Sequence, residues 1–174
     1  PAAAPVAPEQ PYQNAIALFE SALGQASEPQ TEYALRIFLA RTHRNLGNET
    51  AAREQAQAVI DAYRDFVRYA RFDNAAGPTN LMQNALFDRG SFDDLQPLPR
   101  LDFLDPKFYQ GAFPNTVQGD DADADIALAK AEEAFLIKAE VQIAQGDLPG
   151  ARQTMKNLLD VIEERKTSSL SDEI

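Results

Sequence analysis

One stretch of the chain, Asp123–Arg165, carries two helical patterns separated by a short turn at positions 146–150. After the turn, apolar residues recur at spacings of three and four, which places Leu148, Ala151, Met155, Leu158, Leu159 and Ile162 on one helix face. Before the turn there are two such stripes: Leu128, Ala131, Phe135, Ala139 and Ile143, and Ala127, Ala134, Ile137, Val141 and Ala144. The pattern predicts a helical hairpin whose first helix is packed on two sides.

The turn between these two helices has the sequence Gly-Asp-Leu-Pro-Gly. Gly146 suits the end of a helix, where the chain commonly adopts a positive φ. Asp147 can accept hydrogen bonds from the first N–H groups of the next helix. Pro149 falls in the first turn of that helix, where no hydrogen-bond donor is lost. The local chemistry therefore predicts a sharp stop followed by a capped start.

The same arrangement occurs earlier in the chain, where helical patterns flank Gly47-Asn48. In both copies alanines lie seven residues before and five residues after the glycine: Ala40 and Ala52 around Gly47, and Ala139 and Ala151 around Gly146. Close contact between helices requires small residues where the axes approach. We therefore expect an internal repeat and an all-α fold, with a further short helix over residues 12–23 and the helix after Gly47 continuing through Ala70.

The spacing of alanines and glycine in these hairpins resembles that of tetratricopeptide (TPR) repeats. The strings AEEAFLIKAEVQIAQGDLPGAR and ALRIFLARTHRNLGNETAAREQAQAVIDAY also resemble helical hairpins of the SusD/RagB family of outer-membrane nutrient-binding lipoproteins. The resemblance implies a right-handed stack of TPR-like hairpins and a protein that binds a glycan or other nutrient without catalysis. It further implies that the protein works with a TonB-dependent transporter and needs no cofactor.

The domain organisation follows from composition. Residues 1–11 are rich in proline and alanine and predict an extended tether, although a frayed terminus is an equal alternative. Residues 12–166 form the predicted helical domain, with an insert at about 64–122, and residues 167–174 form a frayed tail. A tether suits a lipoprotein anchored to the outer membrane through an upstream cysteine, whereas a chain without an upstream signal segment would be cytoplasmic.

The insert is the predicted binding region. Its prolines at 97, 99, 106 and 114 prevent long regular elements, and its many apolar residues argue against a solvated segment. Aromatic rings can stack on sugars while polar groups fix their hydroxyls. The candidate ligand-binding residues are Arg100, Asp102, Phe108, Tyr109, Phe113 and Asn115. The competing interpretation is that these aromatic residues only cover the helical core.

Charge and composition exclude several functions. The net charge of −11 opposes association with nucleic acid, and the longest apolar runs are far short of the roughly 20 residues that span a bilayer. The chain has no cysteine, which excludes disulfides and thiolate metal sites. It contains no phosphate-binding glycine loop, nucleophile elbow or zinc-ligand spacing. We therefore expect neither an enzyme nor a metalloprotein.

Three charged features have alternative interpretations. Arg64, Arg68 and Arg71 could form a basic stripe on a helix that binds an anion, but a solvated face paired with Asp61 and Asp65 is favoured. Asp121, Asp123, Asp125 and Glu132 imitate a calcium loop, but stabilisation of a helix N-terminus is favoured. His43 occupies a TPR position usually filled by a large aromatic residue, which favours packing over catalysis.

A second function competes with nutrient binding. A TPR module can hold a partner protein in its groove without any small-molecule ligand. The hairpins are common to both hypotheses because they form the scaffold. Any small-molecule site is therefore expected in the insert between them.

Overall fold

The computed structural model describes residues 7, 9–71, 77 and 126–171. These residues form five helices and one two-stranded sheet. The helices are α1 (Glu9–Leu23), α2 (Pro29–Asn45), α3 (Glu49–Tyr63), α4 (Ala131–Ala144) and α5 (Leu148–Ser171), and the strands are β1 (Val67–Ala70) and β2 (Ile126–Lys130). The expectation of a mostly helical protein is confirmed.

The chain divides into two units. The first contains residues 1–68 and 129–174, and thus all five helices. The second contains residues 69–128, of which the structure describes 69–71, 77 and 126–128. In that unit the guanidinium of Arg71 lies over the ring of Tyr69, 5.3 Å from its centroid.

Within the helical unit, each helix packs on the helices next to it in chain order, and α2 also touches α4. The buried residues at these contacts are mostly small. One cluster joins α2, α3 and α4 and consists of Ala34, Ile37, Ala40, Ala52, Ala56, Val59, Phe66, Ala129, Ala131, Ala134 and Ile137. Alanine has no bulk beyond its Cβ, so the helix axes can approach closely along this cluster. Among the described residues, no helix is long and apolar enough to span a bilayer.

The two glycine turns share one backbone geometry, as the repeated spacing predicted. Gly47 has φ of 75° and Gly146 has φ of 77°. In the first turn the N–H of Asn48 donates to the His43 carbonyl at 2.9 Å, and in the second the N–H of Asp147 donates to the Gln142 carbonyl at 2.8 Å. These are the six-to-one bonds of a Schellman helix end, which occupy carbonyls that the helix leaves free.

Replacement of either turn glycine by alanine should destabilise the protein. A Cβ meets no atom at Gly47 or Gly146, so the cost comes from the positive φ alone and is about 1 kcal/mol. Urea denaturation of Gly47→Ala and Gly146→Ala measures it. Gly24→Ala is the matched control, because Gly24 has neither a positive φ nor a close contact. Equal stability of the three variants would contradict this account.

The start of α5 is capped as the sequence predicted, whereas the start of α3 is not. The N–H of Gly150 donates to Asp147 Oδ1 at 2.9 Å, and Pro149 lies in the first turn. At the equivalent position before α3, the Asn48 side chain makes no capping hydrogen bond. The two hairpins thus share the glycine stop but differ in the chemistry of the following cap.

This difference predicts unequal costs for two similar substitutions. Asp147→Ala should lower the free energy of unfolding by about 1 kcal/mol, because the Gly150 N–H loses its side-chain acceptor. Asn48→Ala should cost less, since no cap is lost there. Thermal denaturation of the pair, followed by circular dichroism, tests the assignment. The cap assignment is wrong if Asn48→Ala lowers the Tm more than Asp147→Ala does.

The strand pair corrects the expected helix boundaries. The helix predicted to run through Ala70 ends at Tyr63, and residues 126–130, predicted as helix, form a strand. The N–H of Ala131 donates to the Phe66 carbonyl at 2.8 Å, so the start of β1 lies beside the end of β2 and the strands run in opposite directions. Helical spacing was a poor guide here because pairing with a distant segment overrode it.

The termini of the helical unit also differ from the sequence-based boundaries. Helix α1 begins at Glu9, inside the segment expected to be an extended tether. Helix α5 continues to Ser171, beyond the expected end at residue 166. Both extensions prolong a helix that is fixed by packing elsewhere, since propagation of an existing helix is far easier than its nucleation.

The predicted buried face of α5 is only partly correct. Ala151 and Leu158 are buried, but Leu148, Met155, Leu159 and Ile162 are exposed. Thr154 and Val161 take their place in the interface, and the Thr154 hydroxyl donates to Gln142 Oε1 at 2.7 Å. On α4, Ala131, Phe135 and Ala139 are buried as predicted, as are Ala134, Ile137 and Val141, whereas Ile143 is exposed. Leu128 is exposed and lies on β2.

Candidate functional site

The sequence-predicted ligand residues all belong to the insert. Arg100, Asp102, Phe108, Tyr109, Phe113 and Asn115 lie outside the described residues. Their role therefore stays a prediction. The described residues instead define the strand pair at the ends of the insert and the surfaces of the helical unit.

The base of the insert is a paired and packed structure. Residues 71–125 connect the two paired strands β1 and β2. Just before β1, Phe66 is fully buried and its ring meets those of Tyr33 and Tyr63, with centroids 5.6 and 6.3 Å away. Offset and edge-on contacts of this kind are favourable between aromatic rings. The chain is thus held at both ends of the insert.

Ion pairs connect α2 to α4 along one side of the helical unit. Arg41 makes two hydrogen bonds to the Glu133 carboxylate, each 2.6 Å long. One turn further along α2, Arg44 binds the Glu140 carboxylate through Nε and Nη2, and Nη2 lies 2.5 Å from Oε1. Such two-pronged contacts fix both distance and orientation, so they define the register of the two helices. The arrangement of α2 and α4 thus uses four charged residues that sequence analysis had not paired.

The electrostatics of these pairs follow from the hydrogen bonds. The carboxylate of Glu133 raises the pKa of Arg41, and that of Glu140 raises the pKa of Arg44. In return, hydrogen bonding from Arg44 lowers the pKa of Glu140 below its ordinary value. Each carboxylate oxygen of Glu133 and Glu140 accepts a hydrogen bond from its arginine partner. Their charges therefore support the helix arrangement and leave little capacity for an anionic ligand.

Neither the basic stripe nor the favoured solvated helix face paired with Asp61 and Asp65 is formed by Arg64, Arg68 and Arg71. Because α3 ends at Tyr63, these arginines do not share a helix face. Arg64 binds Glu164 of α5 at 2.5 and 2.7 Å rather than Asp61. Asp65 is bound by Arg165, which also contacts Glu132. The charges at this end connect α3, α4 and α5, so a binding site for an anion on one helix is not formed.

One member of the acidic cluster, Glu132, lies in the first turn of α4, as expected of a carboxylate that stabilises a helix N-terminus. Asp121, Asp123 and Asp125 lie outside the described residues, and the helix begins only at Ala131. The fourth member, Glu132, is bound by Arg165. Among the described residues, no group of three or more acidic or histidine side chains could hold a metal ion. His43 is half-buried at the end of α2, with its Nδ1 3.5 Å from Asn48 Nδ2.

A shallow groove of about 540 Å³ lies between α3 and α4. It is lined by Arg53, Glu54, Gln57, Ala58, Asp61, Lys138 and Gln142. Two of its polar groups already bind each other, since Gln57 Nε2 donates to Asp61 Oδ1 at 2.6 Å. Positive, negative and amide groups alternate along the groove, which suits a polar peptide backbone or side chains better than a compact anion.

The Arg44–Glu140 pair makes the stability of the protein depend on acidity. Both side chains are about half exposed, so Glu140→Gln should cost less than about 1 kcal/mol at pH 7. Because the native pKa of Glu140 is lowered, the contribution of the pair is complete above the ordinary glutamate pKa of about 4.3. It is lost as the pH falls through the lowered native pKa.

Urea denaturation at a series of pH values tests this dependence. The difference in unfolding free energy between the wild type and Glu140→Gln should shrink to zero in acid. Glu20→Gln on the exposed side of α1 is the matched control and should show no such trend. A difference that stays constant across the series would rule out the proposed contribution of the pair.

Comparisons with models of protein families, with curated proteins and with solved structures found no match for this chain. The proposals below therefore rest on the residues and the geometry described above.

Proposed function

We propose that this chain is a SusD-like, non-catalytic protein that binds a glycan or other nutrient and works with a TonB-dependent transporter of the outer membrane. The resemblance of both hairpins to the SusD/RagB family suggests the function. The observation that carries it is the arrangement of the insert. Two helical hairpins flank residues 71–125, and the strands at the ends of that segment pair with each other.

In this arrangement the helical hairpins form the scaffold, and the insert carries the residues suited to recognition. Buried alanines, glycine turns and ion pairs account for the geometry of the hairpins without reference to any ligand. The aromatic and polar residues suited to a sugar are concentrated in the insert. A segment held at both ends can present such residues with a smaller loss of entropy than a free loop. Oligosaccharides are also uncharged in most cases, so the acidic surface does not repel them.

We also propose that the helices form TPR-like hairpins, α2 with α3 and α4 with α5, in a right-handed stack. The equal turn geometry at Gly47 and Gly146 supports this pairing. So does the order of contacts, in which α3 packs on α4 and joins one hairpin to the next. A lipid anchor upstream of residue 1 would hold the protein at the outer membrane.

Calorimetry with a panel of oligosaccharides tests the function directly. At least one sugar should bind the wild type, and Tyr109→Ala or Phe113→Ala should weaken that binding. Loss of one stacking ring costs about 0.5–1.5 kcal/mol, which corresponds to about a two- to tenfold weaker Kd. Leu18→Ala, which removes an exposed apolar side chain from α1, is the control and should leave the affinity unchanged.

Two results would reject the glycan hypothesis. One is the absence of binding to every sugar in the panel by the folded protein. The other is binding that neither aromatic substitution weakens, which would exclude the insert as the recognition surface. Co-purification with a TonB-dependent transporter tests the partner separately.

The second candidate function is a TPR interaction module that holds a partner protein. The groove lined by Arg53, Asp61 and Lys138 favours it, because alternating charges and amides can bind an extended peptide. In that case the sugars would not bind, and substitutions in the groove would abolish capture of the partner protein.

A further inference from the structure

The far side of the α4–α5 hairpin exposes an unusual amount of apolar surface. Six large apolar side chains are exposed there: Leu136, Ile143, Leu148, Met155, Leu159 and Ile162. We name these six residues the end face. Single exposed apolar residues are common on proteins, but a set of six on two adjacent helices marks a contact surface.

Packing contacts place both halves of the end face on the same side. On α4, Leu136 and Ile143 lie opposite Ala134 and Val141, which are buried. On α5, the flank toward α3 is marked by Glu164, which binds Arg64. Met155 and Ile162 lie on the opposite flank, about 180–200° around the helix from Glu164. Both stripes therefore point away from α3.

Alignment of the two hairpins at their glycines shows what this surface is suited to bind. Val59 and Leu158 occupy equivalent positions, and both are buried. Ile37 and Leu136 are also equivalent, yet Ile37 is 0% exposed and Leu136 is 49% exposed.

Ala56 and Met155 form a second unequal pair. Ala56 is fully buried, whereas Met155 is exposed. The residues Ile37 and Ala56 belong to the cluster that includes Ala131, Ala134 and Ile137 of α4. The first hairpin thus buries these positions because α4 packs on them. In the end face the equivalent residues, Leu136 and Met155, have no described helix packed over them.

We propose that the end face binds an amphipathic helix of a partner protein in the way that α2 and α3 bind α4. The model for the occupant is the stripe Ala131, Ala134 and Ile137, in which small residues allow close approach. In a second copy the stripe of α4 is already buried, so the proposed occupant is a helix of a different protein. The proposal is independent of nutrient binding, which concerns the insert.

Charged residues beside the stripe indicate which side chains the preferred partner helix carries. Helix α4 carries Glu133 and Glu140 beside its stripe, and these bind Arg41 and Arg44 of α2. At the positions equivalent to those arginines, the second hairpin has Glu140 and Ile143. An incoming helix therefore meets an apolar side chain and the Glu140 carboxylate, which Arg44 already binds but which is 53% exposed and can accept a further hydrogen bond. The preferred helix has a basic residue in place of Glu133 and an apolar residue in place of Glu140.

A helix-stabilised peptide provides the probe. It has the sequence of residues 131–144 with Glu133→Lys and Glu140→Leu, and binding to the full chain is followed by fluorescence anisotropy. Saturable binding is expected. Leu159→Arg in the protein should weaken it at least tenfold, because Leu159 is 61% exposed at the centre of the α5 stripe. Asn157→Arg, on the opposite side of the same helix, is the control and should bind normally.

Each remaining outcome counts against the proposal. Absence of saturable binding to the wild type would overturn it, as would equal binding by Leu159→Arg. Concentration-dependent self-association that Leu159→Arg abolishes would assign the end face to a second copy of this chain. A lower Tm for Leu159→Arg without any peptide binding would assign it to an internal contact. Oligosaccharide binding should be unaffected by Leu159→Arg, which separates this test from that of the proposed function.

Discussion

The contact between α3 and α4 is the interaction on which the helical unit depends. It joins residues that lie on either side of the insert, and its centre consists of Ala52, Ala56, Ala131 and Ala134. Larger side chains at these positions would separate the helix axes and could be accommodated only by backbone movement. The Arg–Glu contacts add links that this interface does not make, because they connect α2 with α4 and α3 with α5, while the strand pair joins the two ends of the insert.

Ion pairs then fix the register of the packed helices, which small side chains leave undetermined. Alanine surfaces permit sliding, since they have few projections that interlock. Arg41 with Glu133 and Arg44 with Glu140 set the register of α2 against α4, and Arg64 with Glu164 sets that of α3 against α5. Each exposed pair contributes little stability by itself. Their value lies in specifying one alignment, and they use arginines that would otherwise form basic sites on an acidic protein.

The features proposed to bind a sugar and a partner helix belong to different segments of the chain. The hairpins are explained by packing, so they say little about a ligand. The residues suited to a sugar lie in the insert, which begins and ends at the strand pair. The end face lies on a different pair of helices and is apolar. The two proposals therefore concern different residues of the chain.

The sequence by itself determined the features that depend on local backbone chemistry. The glycine stops, the Asp147 cap and the alanine positions were predictable because each acts within a few residues of the chain. Tertiary structure alone decided the strand pair, the partners of Arg64 and Asp65, and which part of the α5 stripe is buried. These depend on residues far away in sequence. An apolar stripe shows that a helix can be covered, but only the position of its neighbours decides which side chains are covered.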